Sequence, residues 1–206
     1  MGSGIAQVAA QAGWNVILID QSSEVLAHSE VQLQKVCNRL IEKKRLTGLE
    51  SEALQGRIHR TTELPLLAPC ALVIEAIAEN MEIKRKVFSR LEDIVSTECI
   101  IATNTSSLSV TGLANSLKHS ERCLGLHFFN PAPLMKLVEV IPAIQTNQTH
   151  VEQCIAFMIA WGKTPVKAKD TPGFIVNRLA RPFYGEALRI VEEELATIEE
   201  VDAAMK

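Results

Sequence analysis

Short apolar runs alternate with longer amphipathic segments along most of the chain, and this alternation restricts the possible folds more than any other feature. Residues 15–20, 71–77 and 99–104 are apolar enough to form buried strands. Residues 22–44 and 81–95 instead carry apolar side chains at helical spacing. Strands that alternate with helices predict a parallel sheet covered on both faces. We therefore expect a doubly wound α/β fold.

A proline-rich turn between two further apolar runs predicts an antiparallel hairpin. Gly125–Phe129 and Lys136–Ile141 are the predicted strands, and breaker residues lie between them. With the turn centred near Pro133, His127 and Glu139 face one another across the ladder. An imidazole held by a carboxylate is a general base whose tautomer is fixed. The alternative is a core histidine that a neighbouring acid merely satisfies.

The start of the chain departs from the usual order of a dinucleotide-binding fold. Such a fold opens with a strand, then G-x-G-x-x-G, then a helix. This chain begins with Met1–Gly4, already inside the predicted helix, and a strand ending in Asp20 follows. An acid at that strand end can bond the ribose hydroxyls of NAD. We expect the first strand and two of the glycines to be absent from this sequence. The alternative is a plain N-terminal helix, with Asp20 as a loop acid.

Composition and charge argue against several classes of protein. The net charge of −3 leaves no basic surface for nucleic acid or an anionic membrane. One tyrosine, two tryptophans and six phenylalanines are too few for stacking on single strands. No apolar run approaches the roughly 20 residues that span a bilayer. Five scattered cysteines without C-x-x-C spacing favour reduced thiols over a disulfide framework or a metal site. We expect a cytoplasmic protein with no nucleic-acid, membrane or metal partner.

Six segments resemble, in their order along the chain, the 3-hydroxyacyl-CoA dehydrogenase family, and most closely its bacterial 3-hydroxybutyryl-CoA and 3-hydroxyadipyl-CoA branch. The matching segments are residues 1–7, 73–80, 103–108, 125–131, 135–140 and 170–178. The resemblance implies a Rossmann-like NAD-binding domain followed by a smaller helical domain that dimerises. It also implies NAD as cofactor and an L-3-hydroxyacyl-CoA substrate, oxidised to the 3-ketoacyl-CoA as in fatty-acid β-oxidation.

The predicted domain boundary lies near Asp170. Residues 1–169 would form the Rossmann-like domain, and residues 170–206 the first part of an all-helical domain. Phe174–Leu195 is predicted as one long helix, with Pro182 as a kink. By the resemblance, the helical domain continues well beyond this sequence and carries much of the dimer interface. We therefore expect a sequence cut at both ends, and a homodimer when the helical domain is complete.

The resemblance assigns catalytic roles to four residues. His127 would take the proton from the substrate 3-hydroxyl, and Glu139 would orient and support the resulting imidazolium. Ser106 would bond the substrate oxygen, and Asn177 would reach the active site beside His127. The alternative for Ser106 is a helix N-cap, since Ser106 or Ser107 precedes an apolar helical pattern.

The resemblance also assigns cofactor and substrate contacts. The expected NAD contacts are Gly2, Asp20, Glu79, Lys84, Asn104, Ser106 and Asn130, and the expected substrate contacts are Ser106, Asn130, Asn177 and Lys43. Without the resemblance, Glu79 and Lys84 would be ordinary helix-surface charges, and Asn130 could be only a turn former. Lys43 matches a lysine that meets the CoA nucleotide, but a solvated basic helix end is an open alternative.

Two other functions stay open at this point. One is a protein that kept the fold and lost the chemistry, as lens lambda-crystallin relatives did. The four catalytic residues together argue against it, whereas the incomplete phosphate loop argues for it, because a pyrophosphate then lacks backbone N–H donors. The other is a β-hydroxyacid dehydrogenase with a lysine base. The His127-x-x-Asn130 segment argues against that alternative.

Overall fold

The structure, a computed structural model, describes residues 1–205. Strands and helices are interleaved as far as β7, and two helices follow. The elements in chain order are α1 (Gly2–Gln11), β1 (Val16–Ile19), α2 (Ser23–Glu42), α3 (Gly48–Gly56), β2 (Ile58–Thr61), β3 (Leu72–Glu75), α4 (Met81–Glu92), β4 (Ile100–Thr103), α5 (Val110–Ala114), β5 (Cys123–Phe128), β6 (Leu137–Pro142), α6 (Gln148–Ala160), β7 (Thr164–Lys167), α7 (Val176–Glu192) and α8 (Ile198–Ala204).

The strands form two hydrogen-bonded ladders. β1 and β2 pair in parallel, and β3 to β7 form a five-stranded sheet in the order of the sequence. Pairing in the larger sheet is parallel except between β5 and β6. The predicted α/β class is confirmed. The sheet is mixed rather than purely parallel, because a short hairpin turn can join only antiparallel strands.

Helices cover both faces of the five-stranded sheet. On β4, Ile101 packs in a cluster with side chains of α4 and α5. Its neighbours Ile100 and Ala102 point the other way, into a cluster with α1 and α6. This alternation follows the two-residue period of a strand. The doubly wound arrangement is therefore confirmed. A third cluster packs α2 and α3 against β2 through Leu33 and Leu54.

A break separates the two ladders. Ile17 and Ile19 of β1 pack against the cluster that contains Val73 of β3. However, no ladder hydrogen bonds join β1 to β3 within residues 1–205. In the Rossmann order one strand lies between the equivalents of these two strands. The expectation that a first strand is absent from this sequence stays a prediction.

The five cysteines are free thiols, and all except Cys70 are buried. Burial raises the pKa of Cys99 to about 11. Burial also raises the pKa values of Cys123 and Cys154 to about 12. These three thiols therefore stay protonated near neutral pH and have little nucleophilic character. Among the described residues, no group of three His, Cys, Asp or Glu side chains could hold a metal ion.

No element is predicted above for the segments that form α3, α6 and β7. For α3 a sequence signal exists, because Thr47 and Glu50 form a capping box. Glu50 N donates to Thr47 Oγ1 at 3.2 Å, and Thr47 N donates to Glu50 Oε2 at 2.8 Å. The same device starts α8 at Thr197 and Glu200.

The chain enters its last two helices through a left-handed turn. Gly173 and Phe174 have φ angles of 79° and 47°, so α7 begins at Val176 and not at Phe174 as predicted. The helix continues through Pro182. Neither α7 nor α8 buries a side chain, and their large exposed apolar residues are Leu179, Phe183, Tyr184, Leu188 and Ile198. None of the helices within residues 1–205 combines the length and apolarity needed to cross a membrane.

Candidate active site

The carboxyl ends of three strands bring candidate residues to one edge of the sheet. β3, β4 and β5 run parallel, so their ends lie at the same edge. The segment after β3 carries Glu79, the segment after β4 carries Ser106, and β5 ends at Phe128, beside His127. Ligands of open α/β sheets bind in the crevice at this edge.

His127 and Glu139 face each other across β5 and β6, which confirms the predicted register. His127 Nδ1 lies 2.6 Å from Glu139 Oε2, and both side chains are buried. A carboxylate only accepts hydrogen bonds, so Nδ1 carries the ring proton and donates it to Glu139 Oε2. Nε2 is then unprotonated and can accept a proton. The rings of Phe129 and Phe174 pack beside the imidazole, with centroids 4.5 and 5.7 Å away.

The second oxygen of Glu139 binds the start of α7. Glu139 Oε1 accepts hydrogen bonds from Ile175 N at 2.8 Å and Val176 N at 3.0 Å. An acid is favourable at a helix N-terminus, because the first backbone N–H groups there have no partner within the helix. One carboxylate therefore orients the histidine and anchors the helical segment. No sequence pattern indicates this contact, because backbone donors leave no trace in side-chain identity.

Asp170 fixes the other end of the same turn. Its carboxylate accepts from Val110 N at 3.0 Å, Thr111 N at 2.8 Å and Ser109 Oγ at 3.0 Å. Burial opposes ionisation, but these hydrogen bonds, with that of Thr111 N foremost, hold the pKa of Asp170 below its ordinary value. The segment that leads to α7 is thus tied to α5 by Asp170 and to β6 by Glu139.

Ser106 lies in a loop and does not cap a helix. The N-cap of α5 is Ser109, whose Oγ accepts from Gly112 N at 3.1 Å. The N-cap alternative for Ser106 and Ser107 is therefore wrong. Thr105 Oγ1 instead braces the loop by accepting from Ser107 N and Leu108 N.

One carboxylate oxygen of Glu79 accepts several hydrogen bonds from this loop. Its Oε1 accepts from Thr105 Oγ1 at 2.5 Å, Ser106 N at 2.9 Å and Ser107 N at 3.2 Å. Ser107 Oγ also donates to it at 3.0 Å. Burial alone would raise the pKa of Glu79, but hydrogen bonds from Thr105, Ser106 and Ser107 and the charge of Lys84 lower it to about 2. Glu79 is therefore ionised at any physiological pH.

Lys84 is buried beneath the site. Its side chain is 1% exposed, and its Nζ lies 2.6 Å from Glu75 Oε1 and 3.3 Å from Glu79 Oε2. Glu75 is held in turn by Thr103 Oγ1 at 2.8 Å and Ile77 N at 2.6 Å. The expectation of an ordinary surface charge is wrong for Lys84, because its helix turns this position towards the sheet. Direct contact of Lys84 and Glu79 with NAD stays a prediction.

Three asparagines predicted in the site have different settings. Asn104 Oδ1 accepts from Phe128 N at 2.8 Å and so joins the ends of β4 and β5. Asn177 Nδ2 lies 3.5 Å from Ser106 O, which brings the first turn of α7 to the serine loop. Asn130 is exposed at the start of the turn after β5. Their ligand contacts stay predictions.

Lys163 was not among the predicted residues, yet it holds the turn that follows Asn130. Its Nζ donates to Ala132 O at 2.5 Å and to Met135 O at 2.8 Å. Partial burial lowers the pKa of Lys163. A lysine on a surface loop gives no sequence signal of such a role, because its carbonyl partners are distant along the chain.

A groove of about 250 Å³ adjoins this turn. It lies between α1, α2, β2 and residues 130–133, and its polar lining includes Gln7, Gln32, Arg60 and Asn130. Lys43 is not part of this lining. It is exposed at the end of α2, and the structure does not bring it to the His127 site.

The residues near the start of the chain fit a dinucleotide. No side chain of the described chain caps the N-terminus of α1, where Gly2 is the first residue. Uncapped backbone N–H groups at a helix start bind anionic groups such as phosphate. Asp20 follows β1 directly, and Ser22 N donates to its Oδ1 at 3.0 Å. A Cβ at Gly4 would come into van der Waals contact with Ala132 and Pro133, whose nearest atoms lie 3.4 Å from its position.

Comparison with protein families gives matches over nearly the whole chain. Residues 1–171 match the family model "3-hydroxyacyl-CoA dehydrogenase, NAD binding domain". Residues 173–206 match "3-hydroxyacyl-CoA dehydrogenase, C-terminal domain". The domain boundary near Asp170 stays a prediction.

Individual relatives give the same picture. The chain is 44% identical over its full length to 3-hydroxyadipyl-CoA dehydrogenase of Escherichia coli K12, but spans only 43% of that protein. It is 42% identical to human mitochondrial hydroxyacyl-coenzyme A dehydrogenase and spans 68% of it. The crystal structure of (S)-3-hydroxybutyryl-CoA dehydrogenase from Ralstonia eutropha superposes with a TM-score of 0.94 at 39% identity. That likeness covers 97% of this chain and 71% of the other.

Proposed function

The chain belongs to the 3-hydroxyacyl-CoA dehydrogenase family, and we propose that it oxidises L-3-hydroxyacyl-CoA to 3-ketoacyl-CoA with NAD. The observation that carries this proposal is the buried His127–Glu139 pair at the ligand-binding edge of the sheet, with Nε2 of the imidazole left to accept a proton. Ser106 and Asn177 lie in neighbouring segments at this edge. A core histidine whose only partner is a hydrogen-bonded acid would not need Ser106 and Asn177 beside it.

His127 acts as the general base. Its Nε2 takes the proton of the substrate 3-hydroxyl while Nδ1–H continues to donate to Glu139 Oε2. The imidazolium that forms is stabilised by the adjacent carboxylate. Ser106 Oγ forms a hydrogen bond with the same substrate oxygen. This contact keeps the proton of the substrate hydroxyl directed at His127 Nε2. When bound, NAD supplies the hydride acceptor for C3.

The surroundings of the pair favour proton transfer. Phe129 and Phe174 pack beside the imidazole, and the Glu139 side chain is 1% exposed. A low-dielectric setting strengthens the attraction between an imidazolium and a carboxylate. Both phenylalanines also limit the access of water to the base.

Asp20 favours NAD over NADP. A carboxylate at the end of β1 accepts hydrogen bonds from ribose hydroxyls, and it repels a 2′-phosphate. The backbone N–H groups at the start of α1 would hold a phosphate of the cofactor.

The groove beside Asn130 is our candidate for the CoA arm of the substrate. It is open to solvent and adjacent to the turn that follows His127, and its mainly apolar lining carries Gln7, Gln32, Arg60 and Asn130 as polar groups. Short-chain or dicarboxylic acyl groups fit the names of the relatives. Lys43 remains a proposed contact for the CoA nucleotide. We also propose a homodimer formed through the exposed apolar face of α7 and α8.

The rival functions have less support. A lysine base would need a lysine at the position of His127, and the buried lysine of the site, Lys84, is engaged by two carboxylates. A relative without chemistry has no need of the His127–Glu139 pair or of Asn177.

Turnover tests the proposal. The chain should oxidise NADH when acetoacetyl-CoA is added and should yield 3-hydroxybutyryl-CoA, as followed by NADH absorbance and product analysis. The rate with NADPH should be much lower than the rate with NADH. In Asp20→Ala the difference between these two rates should be smaller. No acetoacetyl-CoA-dependent loss of NADH would contradict the proposed function.

A further inference from the structure

The loop that carries Ser106 is held from its backbone side. Glu79 Oε1 accepts from Ser106 N and Ser107 N, and from the hydroxyl of Thr105. Ser106 Oγ lies 3.5 Å from the same oxygen, at the limit of a hydrogen bond. The backbone at Ser106 is therefore fixed while its hydroxyl keeps room for another partner.

The two oxygens of Glu79 have different partners, because Oε1 accepts from the loop and Oε2 faces Lys84 Nζ. A carboxylate suits both because it carries no donor, whereas an amide of the same shape would lose the charge and direct an N–H group at the Lys84 ammonium. Hydrogen bonds to a charged acceptor are also shorter and stronger than those between neutral groups. The hydrogen bond from Thr105 Oγ1 to Glu79 Oε1, at 2.5 Å, has the short length expected with a charged acceptor.

Glu79 is itself held from below. Lys84 Nζ binds its Oε2 at 3.3 Å and is anchored by Glu75 Oε1 at 2.6 Å. Glu75 is the last residue of β3 and accepts from Thr103, the last residue of β4. A continuous chain of charged contacts thus runs from two strand ends to the serine loop.

We propose that Glu79 is a positioning residue that acts on catalysis through Ser106, and that Lys84 and Glu75 hold it in place for that purpose. This inference rests on the proposed function for the role of Ser106. It departs from a direct NAD contact, because it makes the loop backbone the target of the Glu79 carboxylate.

Amide hydrogen exchange tests directly whether Glu79 holds the loop that carries Ser106, and it does not require catalytic turnover. In Glu79→Gln the amides of Ser106 and Ser107 should exchange on the order of tenfold faster or more, as loss of a charge-assisted hydrogen bond implies. Glu82→Gln is the matched control, since Glu82 is a nearby exposed glutamate in the first turn of α4 and pairs with Arg85. Unchanged exchange at both serine amides in Glu79→Gln would overturn the proposal.

A double-mutant cycle tests whether Glu79 acts on catalysis through Ser106. Glu79→Gln and Ser106→Ala should each lower kcat/KM for acetoacetyl-CoA by about 10- to 100-fold, and the double variant should be little worse than either. NADH affinity, measured by fluorescence titration, should change less than about twofold in Glu79→Gln. Additive losses, or NADH binding weakened as much as kcat/KM, would instead assign Glu79 to the cofactor and refute this inference.

The two proposals fail in different ways. Absence of turnover in the unsubstituted chain contradicts the dehydrogenase function, while the exchange experiment still decides whether Glu79 holds the loop. Turnover with an additive cycle contradicts the positioning role alone.

Discussion

At the scale of single residues, Glu139 joins two parts of the molecule because its two oxygens have different partners. Oε2 orients His127, and Oε1 accepts from Ile175 N and Val176 N. Both tasks require an acceptor. The uncharged analogue glutamine has one acceptor oxygen and one donor nitrogen, so it cannot perform both.

Glu139→Gln should therefore impair catalysis and loosen α7 together. We expect kcat to fall by about 10²-fold or more, because the imidazolium loses its carboxylate. The amides of Ile175 and Val176 should also exchange faster. Steady-state kinetics and hydrogen exchange measure the two effects, with Glu152→Gln on exposed α6 surface as the control. Full activity in Glu139→Gln would contradict the assigned role.

Among single residues, the hairpin partners were predictable and the buried lysine was not. The register of His127 and Glu139 follows from the turn position and the two-residue period of strands, both of which are local. Burial of Lys84 depends on Glu75 and Glu79, brought to it by the packing of α4 against the sheet. Charge and spacing on a helix do not reveal such a partner.

At the scale of elements, the turn between β7 and α7 is fixed at both ends by carboxylates. Asp170 binds the start of α5, and Glu139 binds the start of α7. Between them, Phe174 takes a left-handed conformation, with φ of 47°, that an aromatic residue rarely adopts. Tertiary contacts therefore determine this segment, which explains why helical spacing alone misplaced the start of α7 at Phe174.

Asp170→Ala should lower the free energy of unfolding by about 1 kcal/mol, the usual cost of losing an acceptor at a helix N-terminus. The folded-state pKa of Asp170 lies below its ordinary value. Its contribution is therefore present above the unfolded pKa near 3.8 and is lost as pH falls through the folded pKa.

Urea unfolding at a series of pH values measures this dependence. The difference between the unsubstituted chain and Asp170→Ala should be constant near neutral pH and should shrink below about pH 4. A difference that grew in acid would have the wrong sign for this account. Asp202→Ala, on α8, is a control in which no such contacts are removed.

At the scale of the whole molecule, the two ladders should differ in local stability. β1 has a ladder partner on one side only and is half-buried throughout, whereas β5 is paired on both sides and fully buried. Opening of a singly paired strand costs less free energy than opening of a central one.

Hydrogen exchange should separate the ladders. Amides of β1 that face away from β2, such as Ile17, should exchange at least about 100-fold faster than those of β5, such as Leu126. Equal protection in β1 and β5 would show that the break between the ladders has no energetic consequence.

The exposed apolar face of α7 and α8 gives a prediction about assembly. If this face forms the proposed dimer, Leu188→Glu should shift the chain towards monomer, because an unpaired charge is costly in an apolar interface. Sedimentation velocity over a range of concentrations measures the change, and Glu192→Gln on the same helix is the control. An identical distribution for Leu188→Glu would exclude this face as the interface.

The central claim is that His127 is the base of a dehydrogenase, and the rate of acetoacetyl-CoA reduction by NADH in His127→Gln tests it most directly. We predict that kcat falls by about 10²- to 10⁴-fold, while circular dichroism and NADH affinity match those of the unsubstituted chain. His28→Gln, which alters an exposed histidine of α2, should retain full activity. A His127→Gln variant that turns over within a few-fold of the unsubstituted chain would contradict the account.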